Sequence, residues 1–196
     1  LQCKTTEPDS EGNFEFVNIE GALFALEIVG ESDNSAVILT FIDLPTEEVR
    51  TIETPIVIPT YRSSDNLGST ATIAVDGGLN ISADPNYTLP FGTEMEDKLS
   101  GVKMDPSTAG LPTDGIDGDV VGLWYLGTWN TEVDPAWPFS IDTLEGVEAG
   151  DTLKVVTGDY LGNIWIEEGT ATVGEDGSVS SDTGTGLSFL STLLLI

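Results

Sequence analysis

"LSFLSTLLLI", residues 187–196, is the run on which the fold turns. A β-strand sends successive side chains to opposite faces. Read as a strand, this run puts Leu187, Phe189, Leu193 and Leu195 on one side and Leu190, Leu194 and Ile196 on the other. Both faces are apolar, so both must be covered. Two arrangements do that. The run is a central strand of its own core, or it inserts into a neighbouring chain whose unpaired edge accepts a strand. It is half the roughly 20 apolar residues that a membrane-spanning helix requires, and no transmembrane segment is predicted anywhere in the chain.

Outward from this run the same texture repeats. "AVILTFI" (36–42), "VVGLWYLGTW" (120–129), "TLKVVTG" (152–158) and "NIWIEEG" (163–169) are short runs rich in Val, Ile, Thr and aromatics. Gly-Asp or Asp-Gly turns separate the later ones, at Gly150-Asp151, Gly158-Asp159 and Asp176-Gly177. Regular turns between such runs predict an all-β chain of antiparallel sandwiches. "FEFVNI" (14–19) alternates, and "ALFALEIV" (22–29) places Phe24, Leu26 and Ile28 on one face. "RTIETPIVI" (50–58) reads as an edge strand because of Pro55 and Pro59.

The polar stretch "TYRSSDNLGS" (60–69) is the expected boundary between two β-sandwich domains, 1–59 and 60–196. Residues 92–119 read as a long acidic loop, with one helical turn in "TEMEDKL" capped by Thr93 with Glu96 three residues on.

Composition narrows the chemistry. Six Lys and Arg face 34 Asp and Glu, a net charge of −28. Such a surface repels nucleic acid and anionic membranes, and attracts divalent cations or basic partners. The chain has no histidine, which removes Ser-His and Cys-His catalysis and His-ligated zinc. One cysteine, Cys3, excludes an internal disulfide and any multi-cysteine metal site within these residues. No Gly-x-Ser-x-Gly elbow and no phosphate-cradling Gly-rich loop with Lys is present. A carboxylate pair for glycoside hydrolysis stays open, because Asp and Glu are plentiful and no local spacing encodes their separation; the leading reading is non-catalytic, with an enzyme third.

Thr5, Thr6, Asp9, Gly12, Phe14, Phe16 and Gly21 fall in the order of a Thr-rich strand, an Asp-x-x-Gly-x-Phe turn and an alternating strand that ends in a glycine turn. With that pattern, residues 5–58 resemble the bacterial carboxypeptidase regulatory-like domain, a small prealbumin-type sandwich. The resemblance implies a scaffold without catalytic residues. It also implies an opening strand, ahead of residue 1, that is missing here. A strand from upstream, a strand from a neighbouring subunit or a rearranged topology would then fill the gap. In relatives of this type a Cys at the Cys3 position can pair with an upstream Cys. "LQC" (1–3) is similar to the end of a bacterial lipoprotein signal, which would put a lipid on Cys3; Leu1 and Gln2 ahead of it count against that reading. The run 162–196, with a Trp strand, "EEGTATV" and a final Ser- and Phe-containing strand, resembles bacterial surface and lipoprotein sandwiches, and implies a secreted or cell-surface location.

Three sets of residues are candidates for function. Asp114, Asp117 and Asp119 in "TDGIDGD" offer oxygens on a Gly-rich backbone, as Ca²⁺ accepts; the same letters are also ordinary Asp-Gly turn formers. Tyr125, Trp129 and Trp137 in the Trp-rich segment 124–139 would suit a glycan or surface ligand, or else pack in the core. Of Trp124 and Tyr125, which face opposite ways, one is expected in the core and the other exposed. Cys3, Leu187, Phe189, Leu193 and Leu195 are the candidate assembly residues. The expected function is a structural subunit of a fibre or cell envelope, assembling with itself or with other surface proteins by strand pairing. The alternative is a glycan-binding module.

Overall fold

The computed structural model describes residues 3–19, 23–44, 49–67, 72–84, 87–88, 98–127 and 130–196. Their regular structure is almost wholly β, and every strand pairing is antiparallel. Helical structure among them is limited to a 3₁₀ turn at Asp76–Gly78 and a four-residue turn, α1, at Pro106–Ala109. Asp105 caps α1 through its carboxylate and Gly110 closes it in the left-handed conformation.

The strands are β1 (Leu23–Val29), β2 (Val37–Asp43), β3 (Ser63–Asn66), β4 (Ile73–Val75), β5 (Leu79–Ile81), β6 (Tyr87–Thr88), β7 (Lys98–Met104), β8 (Gly122–Leu126), β9 (Thr131–Trp137), β10 (Phe139–Ile141), β11 (Thr152–Asp159), β12 (Ile164–Val173), β13 (Val179–Ser181), β14 (Leu187–Leu190) and β15 (Thr192–Leu195). Ten of them form one sheet in the order β3-β7-β8-β15-β11-β12-β13-β10-β5-β4. The sheet curls until its ends meet. Just after β4, the Asp76 amide donates to Ser63 Oγ of β3 (2.9 Å), and Asp76 Oδ2 accepts from the Lys103 amide of β7 (3.0 Å). Gly101 of β7 allows the closure: a Cβ there would lie 2.2 Å from Val75 Cγ1. Closing a sheet on itself removes its exposed edges.

Inside the curl lie Ile73, Val75, Leu79, Ile81, Trp124 and Val155 with Leu193 and Leu195. A second sheet, β14-β9-β6, adds Leu187, Leu190, Val133 and Trp137 to the same interior. The terminal run is thus two strands in two sheets. The break falls at Ser191, whose buried hydroxyl accepts from the Gly158 amide (3.2 Å) and donates to the Gly158 carbonyl (2.6 Å). Of the two arrangements open to this run, it takes the central one: β15 lies between β8 and β11.

The outer face of β8, β15 and β11 is apolar as well. Leu123, Tyr125, Leu194 and Val156 form a second cluster with Val102, Ala109 and two residues from the N-terminal part, Ala36 and Ile38. The β1–β2 hairpin supplies this cover. β2 turns its far edge to the barrel, where the Leu39 amide donates to Thr192 Oγ1 of β15 (3.1 Å) and the Val37 amide to Tyr61 Oη (3.1 Å). Leu39 and Phe41 are fully buried, with Gly158 so close that a Cβ on it would sit 3.0 Å from Leu39 Cδ2. Phe41 meets the Trp165 ring edge-on (4.9 Å between centroids).

Several expectations change. Residues 14–19 and 50–58 form no strand. Pro55 and Pro59 lack the N–H that a ladder needs, and 50–58 is held instead by single bonds such as Val57 N to Ala109 O (2.9 Å). Between residues 5 and 58 the described strands are β1 and β2 alone, in one two-stranded sheet. The polar stretch 60–69 contains β3, which is solvated on one side and so carries a weak apolar signal. The stretch 92–119 contains β7, which includes Lys98 and Leu99 of the supposed helical turn; Thr93 and Glu96 lie outside the described residues. No helix among the described residues is long and apolar enough to cross a membrane.

Two substitutions test this packing. Gly101→Val forces a side chain against Val75 and is expected to cost about 1–3 kcal/mol, read as a fall in Tm. Leu194→Ala opens the outer cluster and is expected to cost about 2–5 kcal/mol by denaturant unfolding; a change below about 0.5 kcal/mol in either would contradict the two-faced core.

Candidate functional site: the open edge of β1

Because β2 faces the barrel, β1 is the outer strand of the hairpin. Register pairs Phe24 with Ile42, Leu26 with Thr40 and Ile28 with Ile38. The Val37 and Leu39 amides are used away from β1, so the residues that exchange bonds with β1 are Ile38, Thr40 and Ile42. Successive peptide groups alternate across a strand. Leu23, Ala25, Glu27 and Val29 therefore direct their N–H and C=O groups away from β2. The Leu23 carbonyl confirms the sense: it accepts from Asn163 Nδ2 (2.7 Å) on the far side. Among the described residues, no hydrogen-bond partner meets the outward groups of Ala25, Glu27 and Val29.

A groove of about 580 Å³ runs beside this edge, lined by Thr5, Phe16, Ile19, Ala25, Glu27 and Val29, with Tyr160 and Cys3 at its border. The segment 3–19 forms its other wall. Lys4 Nζ donates to the carbonyls of Val17 (2.7 Å) and Asn18, which folds the segment back on itself. At its tip Asp9 Oδ1 accepts from the Glu11 (2.8 Å) and Asn13 (2.9 Å) amides, and Gly12 takes a φ of 86°. The Asn13 side chain and these amides hold the Asp9 carboxyl below its usual range. Phe14 and Phe16 touch edge-to-face (6.1 Å).

Glu27 and Lys4 are the charged residues that line the groove, and the Lys4 ammonium is turned to the Val17 and Asn18 carbonyls. Among the described residues no ion pair reaches Glu27, and partial burial raises its pKa. Tyr160 stands nearby: its hydroxyl is 3.8 Å from Cys3 Sγ, and that contact, followed by burial and the negative charge of Glu27, raises its pKa.

No protein-family model, curated protein or solved structure matches this chain. The site therefore stands on its geometry.

The residues singled out by sequence fall as follows. Cys3 is exposed at the groove. Leu187, Leu193 and Leu195 are fully buried and Phe189 half-buried, so the three leucines are committed to the core of this chain. Trp137 is 1% exposed and Tyr125 fully buried, which removes both from contact with a glycan. Trp124 and Tyr125 do face opposite ways, yet both are buried, because the barrel is packed on both faces there. Trp129 lies outside the described residues. Asp114 engages Arg50 (3.0 Å) and accepts from the Asp43 amide (3.3 Å), while Asp117 and Asp119 are exposed. No group of three or more acidic, His or Cys side chains is placed to hold a metal ion among the described residues. The edge of β1 was missed by sequence reasoning; the signal available was Glu27, a lone charge within "LFALEIV".

Glu27 yields a pH prediction. A carboxyl whose folded pKa lies above its unfolded value of 4.5 is favoured when protonated in the fold, so stability falls as pH rises from 4.5 through the raised value. Glu27→Gln is expected to raise Tm at pH 7 by about 1–2 °C, discounted for its exposure, and to change nothing below pH 4. An equal effect at both pH values would contradict this environment.

Proposed function

We propose that this is a non-catalytic structural protein of the cell surface or extracellular space, which works by taking an extended segment of another polypeptide onto β1. The single observation that carries the reading is the outward row of backbone groups at Ala25, Glu27 and Val29, beside an apolar-walled groove. An unpaired strand edge is a template for strand addition, in which main-chain bonds supply affinity and side-chain alternation supplies selectivity. The ten-stranded sheet curls so that its end strands meet, and it carries the hairpin whose outer edge faces the groove.

Two further features support a non-catalytic role. Histidine is absent. The carboxyls held low in pKa serve local structure: Asp105 binds Ser107, Asp176 binds Ser178, and Asp182 binds Thr170 and Thr172. Placement at the cell surface is supported by the resemblance of 162–196 to bacterial surface sandwiches. The donor of the added strand is another segment than 187–196, since that run is committed to the core.

A fluorophore on the exposed Cys3 thiol reports on the groove. Titration with a neutral, end-capped Thr-Val octapeptide is expected to shift its emission saturably. The same peptide with alternate backbone amides methylated should give no shift, since it cannot form the ladder. Equal responses to both peptides would contradict strand addition.

A further inference from the structure

We infer that the segment accepted by β1 is cationic: an extended strand with Lys or Arg on the face that meets Glu27, and apolar residues on the other. The inference rests on the strand-accepting edge proposed above and names its partner.

Side chains alternate between the two faces of β1. Glu27 shares its face of β1 with Ala25 and Val29, while Phe24, Leu26 and Ile28 share the other. A strand laid against β1 continues both faces. Every second side chain therefore falls beside the Phe24, Leu26, Ile28 row, and the intervening ones beside Glu27. Directly opposed side chains on paired strands have their Cβ atoms about 5 Å apart, within reach of an ion pair. Among the described residues no ion pair reaches Glu27, and partial desolvation raises its pKa. A second carboxylate at that place would add repulsion in a groove that already disfavours the first.

The surroundings carry the same sign. Of residues 3–19, Lys4 lines the groove itself, while Glu7, Asp9, Glu11 and Glu15 lie on the same segment outside that lining. The Lys4 ammonium is turned to the Val17 and Asn18 carbonyls. Beyond the groove the chain as a whole is at −28. A field of one sign steers opposite charge toward it and speeds association. The same field opposes a second copy of this chain, which would bring another −28 to the edge. Net charge thus separates two occupants that backbone geometry treats alike, and it favours a basic partner over self-assembly.

Three end-capped octapeptides test the inference: Val alternating with Lys, with Gln, or with Glu. Binding to the full chain is read by calorimetry at 20 mM and 500 mM salt. The expected result is that the Lys peptide binds about tenfold tighter than the Gln peptide at low salt. The Glu peptide should bind weakest, and the spread should narrow at high salt. In Glu27→Gln the preference for Lys over Gln should shrink by about half or more. Equal binding of the Lys and Gln peptides would overturn the cationic partner while leaving strand addition intact. Sedimentation at 100 µM without peptide supplies a second check: a dimer whose formation is blocked by Ala25→Pro would overturn it in favour of a second copy. Failure of all three peptides to bind would overturn both the partner and the edge. Ala25→Pro is compatible with the fold because the amide it removes makes no ladder bond.

Discussion

The structure depends on one constraint: β15, "TLLL", is apolar on both faces and lies where neither face can meet water. Leu193 and Leu195 are met by the interior of the curled sheet. Leu194 is met from outside by Ala36 and Ile38. Each fully buried leucine is worth about 1.5–3 kcal/mol relative to an exposed one, so leaving either side bare would cost a sizeable part of the stability of an ordinary domain. The barrel alone covers one face. The N-terminal hairpin exists in this position because the other face requires it.

That requirement fixes the orientation of the hairpin, and the orientation produces the site. β2 must place Ile38 against the barrel on one side and Leu39 and Phe41 on the other, so its far edge turns inward, where Thr192 Oγ1 and Tyr61 Oη satisfy its amides. β1 is left outermost, with one edge on β2 and the other on a groove. The open edge is thus a consequence of core packing. Its acidic setting follows from composition, since a chain with 34 carboxyls and six basic residues surrounds any surface feature with negative charge. Geometry selects an extended occupant; charge selects which one.

The β architecture was legible wherever a strand is buried. "AVILTFI", "GLWYL" and "TLLL" are apolar apart from Thr40 and Thr192, and each is a strand covered on both faces. It was illegible at two strands, β3 and β7, whose runs are polar or broken by Ser and Gly. "SSDN" of β3 and "KLSGVKM" of β7 join the sheet because Gly101 permits the closure against Val75, a contact between residues 26 apart that no local pattern encodes. The opposite error arose at 14–19 and 50–58, where alternation or β-branched residues suggest strands. There, prolines and the Lys4 clamp hold the chain in irregular paths. The aromatic segment misled for a related reason: one-dimensional alternation assigns Trp124 and Tyr125 to opposite faces correctly, but only the fold reveals that both faces are covered. The edge of β1 was hidden because an unpaired edge is a property of neighbours, which a run of seven residues does not contain.

Amide hydrogen exchange, resolved residue by residue across β1 and β2, tests the central claim most directly, because it reads which backbone groups are paired. The account predicts slow exchange at Val37 and Leu39, whose amides are sealed against the barrel, and at Leu26 and Ile28 within the hairpin ladder. It predicts fast exchange at Ala25, Glu27 and Val29. Protection of those three amides in the free chain, or rapid exchange at Val37 and Leu39, would mean that the hairpin docks the other way round and that β1 offers no edge.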